Sequence, residues 1–219
     1  MKRIDMETYP RRAHFEHFIG MAYPYVGMTV DVDVTDLLAL CKAKKISFYL
    51  MVLHAVALAV DEVPEFRRRI DQAGIIEFDQ CPTSHTELKP DGTYAYCTLH
   101  HHMPLAEYLQ KAEAARAAAR ESGSIVEDEN VQSMTFISTV PWLHYTQLIQ
   151  PVCAGEDSNP RIVWGKYRAD QNGRMMMPLS VLVHHALADG LHIAQFYEAF
   201  ARQAERLCRE EKTCVLAVL

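Results

Sequence analysis

Met175-Met176-Met177-Pro178-Leu179-Ser180-Val181-Leu182-Val183-His184-His185-Ala186-Leu187-Ala188-Asp189-Gly190 is the stretch on which the reading of this chain turns. A nearly unbroken apolar run rich in Val and Leu is the pattern of a buried strand, so the two histidines arrive at the end of a rigid element. Beyond Gly190, the apolar residues Ile193, Ala194, Tyr197, Phe200, Ala201 and Ala204 recur three and four apart, the period of an amphipathic helix packed on a core. The histidine pair therefore sits at a strand-to-helix corner.

The preceding chain mixes both kinds of element. Spacing predicts a short helix over Arg11–Phe18, a strand over Tyr25–Val32 and a helix over Thr35–Lys44. The apolar run from Ile46 to Val60 covers 15 residues between Lys45 and Asp61, short of the ~17–25 needed to cross a bilayer. It predicts a buried helix reaching Glu62 and stopped by Pro64, which cannot donate a backbone hydrogen bond. Strands follow at Gly74–Asp79, Pro82–Glu87 and Thr93–Leu99, the last two joined by a Pro90-Asp91-Gly92 turn. Leu105–Arg120 is dense in Ala, Glu, Lys and Arg, with Glu107 four residues before Lys111, and predicts a helix. A polar loop, Glu121–Asn130, leads to strands over Val131–Ser138 and Ile162–Arg168, and Gly173 turns the chain into the histidine strand. This order predicts an α/β two-layer sandwich, a mostly mixed sheet flanked by helices, with residues 1–219 as a single domain.

Composition narrows the function classes. With 28 Asp and Glu against 22 Lys and Arg, an electrostatic hold on nucleic acid or an anionic membrane is not expected. Arg67-Arg68-Arg69 reads as a local charge cluster. Met1-Lys2-Arg3-Ile4-Asp5-Met6-Glu7 shows no apolar stretch, so the expectation is a cytoplasmic protein without leader or anchor. Six cysteines without a C-x-x-C pair read as reduced thiols.

Histidine accepts a proton near neutral pH, and an aspartate four residues on can orient it or organise the corner around it. Alternation on a strand sends His184 and His185 to opposite faces, and geometry alone leaves open which one faces a site. Both could equally be hydrogen-bonded core residues. A metal set of His185, Asp189 and His192 fits poorly, because Asp189 stands where a carboxylate caps a helix. His100-His101-His102 reads as an exposed connection, His14 and His17 lie on a short helix whose Phe15 and Phe18 face elsewhere, and solvated or packed roles fit all five. There is no G-x-S-x-G, no phosphate-loop motif and no G-x-G-x-x-G. Ser138, before Thr139-Val140-Pro141-Trp142, is expected at a bend that ends its strand.

Taken together, His184-His185-Ala186-x-x-Asp189-Gly190 with His192, Met177-Pro178-Leu179, Gly165-Lys166-Tyr167, Ser138-x-x-Pro141-Trp142, Pro64-Glu65-Phe66-Arg67, and Arg11 with His14-Phe15-Glu16 resemble the chloramphenicol acetyltransferases of the trimeric type. The similarity runs through almost the whole chain. It implies a homotrimer with active sites between subunits, acetyl-CoA as co-substrate, chloramphenicol or a similar hydroxylated molecule as acceptor, no permanently bound cofactor and no metal. It also implies His185 as general base, Ser138 as donor to the oxyanion, and an Asp189–Arg11 pair that holds the site's shape. Trp142, Tyr167 and Lys166 fall on the coenzyme A side. Ala22, Pro24, Val26, Thr83, Tyr94 and Val163 fall on the acceptor pocket, where Val26 replaces an aromatic residue and Pro24 and Val163 also depart from the family pattern. Dihydrolipoamide acyltransferases share an H-x-x-x-D-G motif, but the linkers that join their catalytic domain to further modules are not seen here.

Overall fold

The computed structural model describes residues 1–72, 74–122, 124–126, 130–153 and 157–216. In chain order the elements are β1 (Lys2–Arg3), α1 (Arg12–Ile19), β2 (Tyr25–Asp33), α2 (Thr35–Lys44), α3 (Phe48–Glu62), β3 (Arg68–Asp71), β4 (Gly74–Glu77), β5 (Thr83–Leu88), β6 (Tyr94–Leu99), α4 (Leu105–Ser122), β7 (Thr135–Val140), β8 (Arg161–Gly165), β9 (Arg168–Ala169), β10 (Met175–His184) and α5 (Gly190–Leu216). Short 3-10 turns at Pro64–Arg67 and Val131–Ser133 precede β3 and β7.

Local chemistry sets these boundaries. Ser47 caps α3 by accepting from the Leu50 amide, and Lys45 in the left-handed region (φ 58°) closes α2. α3 is apolar on every side and accordingly buried, from Leu50 to Ala57 without interruption. In the hairpin between β5 and β6, the Asp91 side chain accepts from the amide and hydroxyl of Thr93, and Gly92 takes φ 84°.

The large sheet has the order β2-β10-β8-β7-β5-β6, with β9 also on β10. β10 is antiparallel to β2 from Met176↔Asp33 to His184↔Tyr25, and antiparallel to β8 on its other side. β7 runs parallel to both β8 and β5. Alternation sends Met177, Leu179, Val181 and Val183 into the core with residues of α3 and α5. Ser180, Leu182 and His184 belong to the opposite face. The α/β sandwich with a mixed sheet is therefore the observed architecture, with α2 to α5 packed against a single face.

Several elements differ from what spacing suggests. β4 stops at Glu77 and joins β1 and β3 in a separate three-stranded sheet. Val131–Ser138 begins as a 3-10 turn capped by the Asn130 side chain, and β7 continues to Val140, so Ser138 lies inside the sheet and not at a bend. β8 ends at Gly165, where an added Cβ would stand 2.6 Å from the Leu143 carbonyl oxygen. A side chain there would exclude that approach. His101 is buried at 2% exposure, not part of an exposed connection. Cys41, Cys81, Cys97, Cys153 and Cys208 form no disulfide; the Cys214 side chain and part of the Glu121–Asn130 loop lie outside the described residues.

The arginine cluster is structural. Arg69 is fully buried and donates to the carbonyls of Phe66 (2.8 Å), Arg68 (2.7 Å) and Met134 (2.8 Å). Because Arg69 lies on β3 and Met134 leads into β7, one guanidinium ties the small sheet to the large one. Arg69→Ala should lower unfolding stability in urea by on the order of 3 kcal/mol or more, since bonds to a charged donor contribute about 1.5–3 kcal/mol each and the carbonyls left behind are buried. An unchanged denaturation midpoint would contradict this reading.

Candidate active site

At the end of β10 the two histidines part company. His184 is buried, its Nδ1 accepts from the Ala186 amide (3.2 Å), and its ring meets Tyr25 edge-on. Burial lowers its pKa to about 4, so it remains neutral. His185 is half-buried and continues the ladder by donating its amide to the Pro24 carbonyl (2.7 Å). Its Nδ1 stands 3.1 Å from the Ala188 carbonyl oxygen. A carbonyl can only accept, so Nδ1 carries the proton and Nε2 keeps a free lone pair. Phe18 stacks on this imidazole at 3.8 Å between centroids and 17° between planes. Phe18 of α1 therefore faces the histidine, a contact that the spacing of α1 does not reveal.

Asp189 joins three elements. Its Oδ1 accepts from the Leu191 amide (3.0 Å) at the start of α5, and its Oδ2 accepts from Arg11 at the start of α1. Partial burial opposes ionisation, but the Arg11 bond, the neighbouring His192 and the Arg11 charge outweigh it and hold the carboxyl below its ordinary range. Asp189 does not contact the His185 ring among the hydrogen bonds described; it fixes the corner from beneath. His192 Nδ1 lies 3.1 Å from the Asp189 amide and 2.9 Å from Asp189 Oδ1, and among the hydrogen bonds described none joins it to His185.

The face of the sheet without helices carries the second group of residues. Ser138 on β7 neighbours Val163 on β8, which neighbours Ser180 on β10, which neighbours Thr29 on β2. A directed chain of bonds crosses this face: Ser180 donates to the Tyr145 hydroxyl (3.2 Å), and Tyr145 donates to the Val163 carbonyl (2.9 Å). The Ser138 hydroxyl lies 3.4 Å from that of Thr86. Nearby, a cavity of about 520 Å³ is lined by Tyr23, Tyr25, Thr29, Ser180 and the segment 146–150, within the range of small-molecule sites.

The acceptor-pocket residues chosen from the sequence fit this face only partly. Val163 lies beside Ser138 on it. Val26 packs against the helix-covered core, and Thr83 shares the face of His85, which packs on Tyr49 of α3. Thr83 is buried, with its hydroxyl on the Leu99 carbonyl, and its neighbour Ser84 takes the Ser138 side. Tyr94 is on that face but exposed on the edge strand β6, four strand positions from β10. Ala22 is exposed and Pro24 contributes its carbonyl to His185. None of these six lines the cavity; Tyr25, which does, alternates with Pro24 and Val26.

Trp142 and Lys166 lie at the same end of the sheet, whereas Tyr167 turns toward the core. The Lys166 amide donates to the Leu143 carbonyl (2.7 Å) and His144 Nδ1–H donates to the Lys166 carbonyl (3.1 Å). This strap holds the exposed Trp142 beside Lys166 at the ends of β7 and β8. Tyr167 packs edge-on against Phe48.

Residues 1–201 match the family model for chloramphenicol acetyltransferase. The chain belongs to the chloramphenicol acetyltransferase family. A chloramphenicol acetyltransferase of a Klebsiella species is 27% identical over 194 residues, 88% of each chain. A solved chloramphenicol acetyltransferase superposes with a TM-score of 0.84 at 27% identity, over 93% of this chain and 100% of the other. The dihydrolipoamide acetyltransferase of Azotobacter vinelandii shares the fold at a TM-score of 0.68 and 17% identity, over 93% and 91% of the two chains. This chain is thus an acetyltransferase of the chloramphenicol acetyltransferase family.

The Arg11–Asp189 pair has a pH signature. A depressed carboxyl pKa contributes stability above its unfolded value near 4, and that contribution is lost as pH falls through the folded value. Asp189→Asn should therefore cost about 1.5–3 kcal/mol at pH 7 in urea unfolding, the range for a charge-assisted bond. Repeating the measurement near pH 3 should show a smaller gap between variant and wild type. A gap independent of pH would separate Asp189 from this pairing energy.

Proposed function

We propose that this enzyme transfers the acetyl group of acetyl-CoA to a hydroxyl of chloramphenicol, inactivating the antibiotic, with His185 as general base. The observation that carries the reading is the bond from His185 Nδ1–H to the Ala188 carbonyl, which commits the imidazole to the tautomer with a basic Nε2. Nε2 takes the acceptor's hydroxyl proton as that oxygen attacks the thioester carbonyl; the tetrahedral intermediate then expels the CoA thiolate, which is reprotonated. No acyl-enzyme is required. Ser138 donates its hydroxyl hydrogen to the oxyanion, where a preplaced donor acts most strongly. Its contact with Thr86 is long, so that hydrogen is not tightly committed elsewhere. Trp142 and Tyr167 offer aromatic surface, and Lys166 a positive charge, for the coenzyme.

Within one chain these groups cannot meet. Ser138 is two strands from β10, level with Ser180, and His185 lies five residues further along, a separation of about 19 Å from strand spacing and rise. The reading therefore includes a homotrimer in which His185 of one subunit faces Ser138 and the open sheet face of the next. Tyr25 and Tyr23 give that face the aromatic wall that Val26 does not supply. The proposed location is the cytoplasm; among the described residues no helix is long and apolar enough to cross a membrane.

Acetyl-CoA turnover, followed by thiol release with chloramphenicol, other hydroxylated acceptors and dihydrolipoamide, tests the substrate assignment. Release with dihydrolipoamide alone would overturn it. His185→Ala should reduce kcat by about 10²–10⁴-fold in a folded protein. Ser138→Ala should reduce it by about 10²–10³-fold at nearly constant KM for acetyl-CoA. Refolding these two inactive variants together should restore roughly one quarter of wild-type activity, because random mixing rebuilds sites that take an intact His185 and an intact Ser138 from different subunits. No recovery would place both groups in one chain.

A further inference from the structure

Three side chains outside this site converge on one point. Asp61, near the end of α3, meets His101 and His102, which leave β6. Nε2 of His101 lies 2.7 Å from Oδ2 of Asp61, and Nε2 of His102 lies 2.5 Å from the same oxygen. One ligand atom from each residue lies within 4.8 Å of the other two. His101 is buried and the Asp61 side chain is 14% exposed, whereas the His102 side chain is 40% exposed, so the cluster opens to solvent on one side. Among the described residues, the buried Oδ1 of Asp61 has no hydrogen-bond partner, while Oδ2 serves both imidazoles. A carboxylate placed only to bind two N–H donors would be expected to use both oxygens, since each has lone pairs to offer.

We propose that Asp61, His101 and His102 bind a zinc ion, with a fourth, solvent-facing position on the His102 side. Zinc takes imidazole nitrogen at about 2.0–2.1 Å and carboxylate oxygen at about 2.0–2.2 Å in a tetrahedral arrangement. Ligand atoms in such a tetrahedron stand about 3.3 Å apart, so the two histidine nitrogens need retreat from Asp61 by less than about 1 Å. The donor set selects against calcium and magnesium, which prefer oxygen ligands throughout. Arg67 Nε donates to the Asp61 carbonyl (3.0 Å) and holds the end of α3 in place. The ion would clip the helix layer to the exit of the edge strand, four strand positions across the sheet from β10 and sharing no residue with the acetyl-transfer site.

The test uses the full chain without a histidine tag, stripped by a chelator, dialysed and titrated with Zn(II) against a chromophoric chelator. One equivalent should bind per chain and raise the melting temperature, because an ion held only by the folded state stabilises it. Co(II) in its place should give the strong visible bands of four-coordinate cobalt without a thiolate charge-transfer band, which separates this site from the cysteines. His102→Ala, which removes a partly exposed ring, should abolish uptake while the metal-free protein melts as wild type does. His14→Ala, which removes an exposed imidazole elsewhere, should leave uptake unchanged. Asp61→Asn should behave as His102→Ala does if it folds; His102→Ala decides the matter if it does not. Failure of the wild type to bind zinc, or unchanged stoichiometry and affinity in His102→Ala, would overturn the proposal.

Discussion

Side chains alternate along a strand, and β10 is held in register from both sides, so its pairing decides most of what the molecule can do. Nine successive pairs with β2 and four with β8 leave no freedom to slip. A shift by one residue would carry Leu179, Val181 and Val183 out of the core and bring Ser180 and His184 into it. Burial of those apolar side chains, at roughly 1.5–3 kcal/mol each, opposes any such shift. The same register puts Ser180 level with Val163 and Ser138 and carries His185 past the end of the strand. Hydrophobic burial on one face thereby positions polar groups on the other.

The corner beyond β10 needs more than its own sequence. Ala186 and Leu187 are buried in a small cluster with Tyr9, Phe15, Ile70 and Ile75, contributed by the start of the chain, α1 and the three-stranded sheet. Arg11, which precedes α1, then binds Asp189, and Phe18 near the other end of α1 lies flat on His185. The stacked ring and the Ala188 carbonyl restrain the imidazole in two different directions. Arg69 in turn secures the small sheet through Met134, so residues far from β10 in sequence set the angle at which its histidine is presented.

Elements whose pattern comes from burial on one continuous surface were legible from the chain alone. β10, α3, α4 and the β5–β6 hairpin each follow their periodicity closely, and the α/β sandwich follows from their order. β3 was not legible, because Arg68 and Arg69 belong to a run that reads as a local charge cluster; only the carbonyls gathered around Arg69 make its burial tolerable. Phe18 was missed because an apolar residue three after Phe15 looks like ordinary helix packing. Thr83 and Val26 illustrate a different limit: placing a residue on a strand does not say which face it takes. At Thr83 the face is set by its neighbours, with His85 against Tyr49 and Thr86 against Ser138. His101 failed for a third reason, since its burial depends on Asp61, forty residues away.

The direction of the strands is what makes the proposed chemistry require a second subunit. β7 and β8 are parallel and end at Val140 and Gly165, where the bond between Leu143 and Lys166 ties the segments that carry Trp142 and Lys166. β10 is antiparallel to β8, so His185 emerges at the opposite end of the sheet. With the coenzyme at the first end and the base at the second, as proposed, the two lie too far apart for direct transfer in the same chain. Bringing the second end of one subunit against the helix-free face of another removes that separation without bending either sheet. The proposed arrangement leaves each group on a rigid strand or strand end, where its geometry is set by packing and not by a flexible loop. It also closes the acceptor between two surfaces, so that water is excluded when the subunits meet and the unpaired Nε2 of His185 faces substrate instead of bulk solvent.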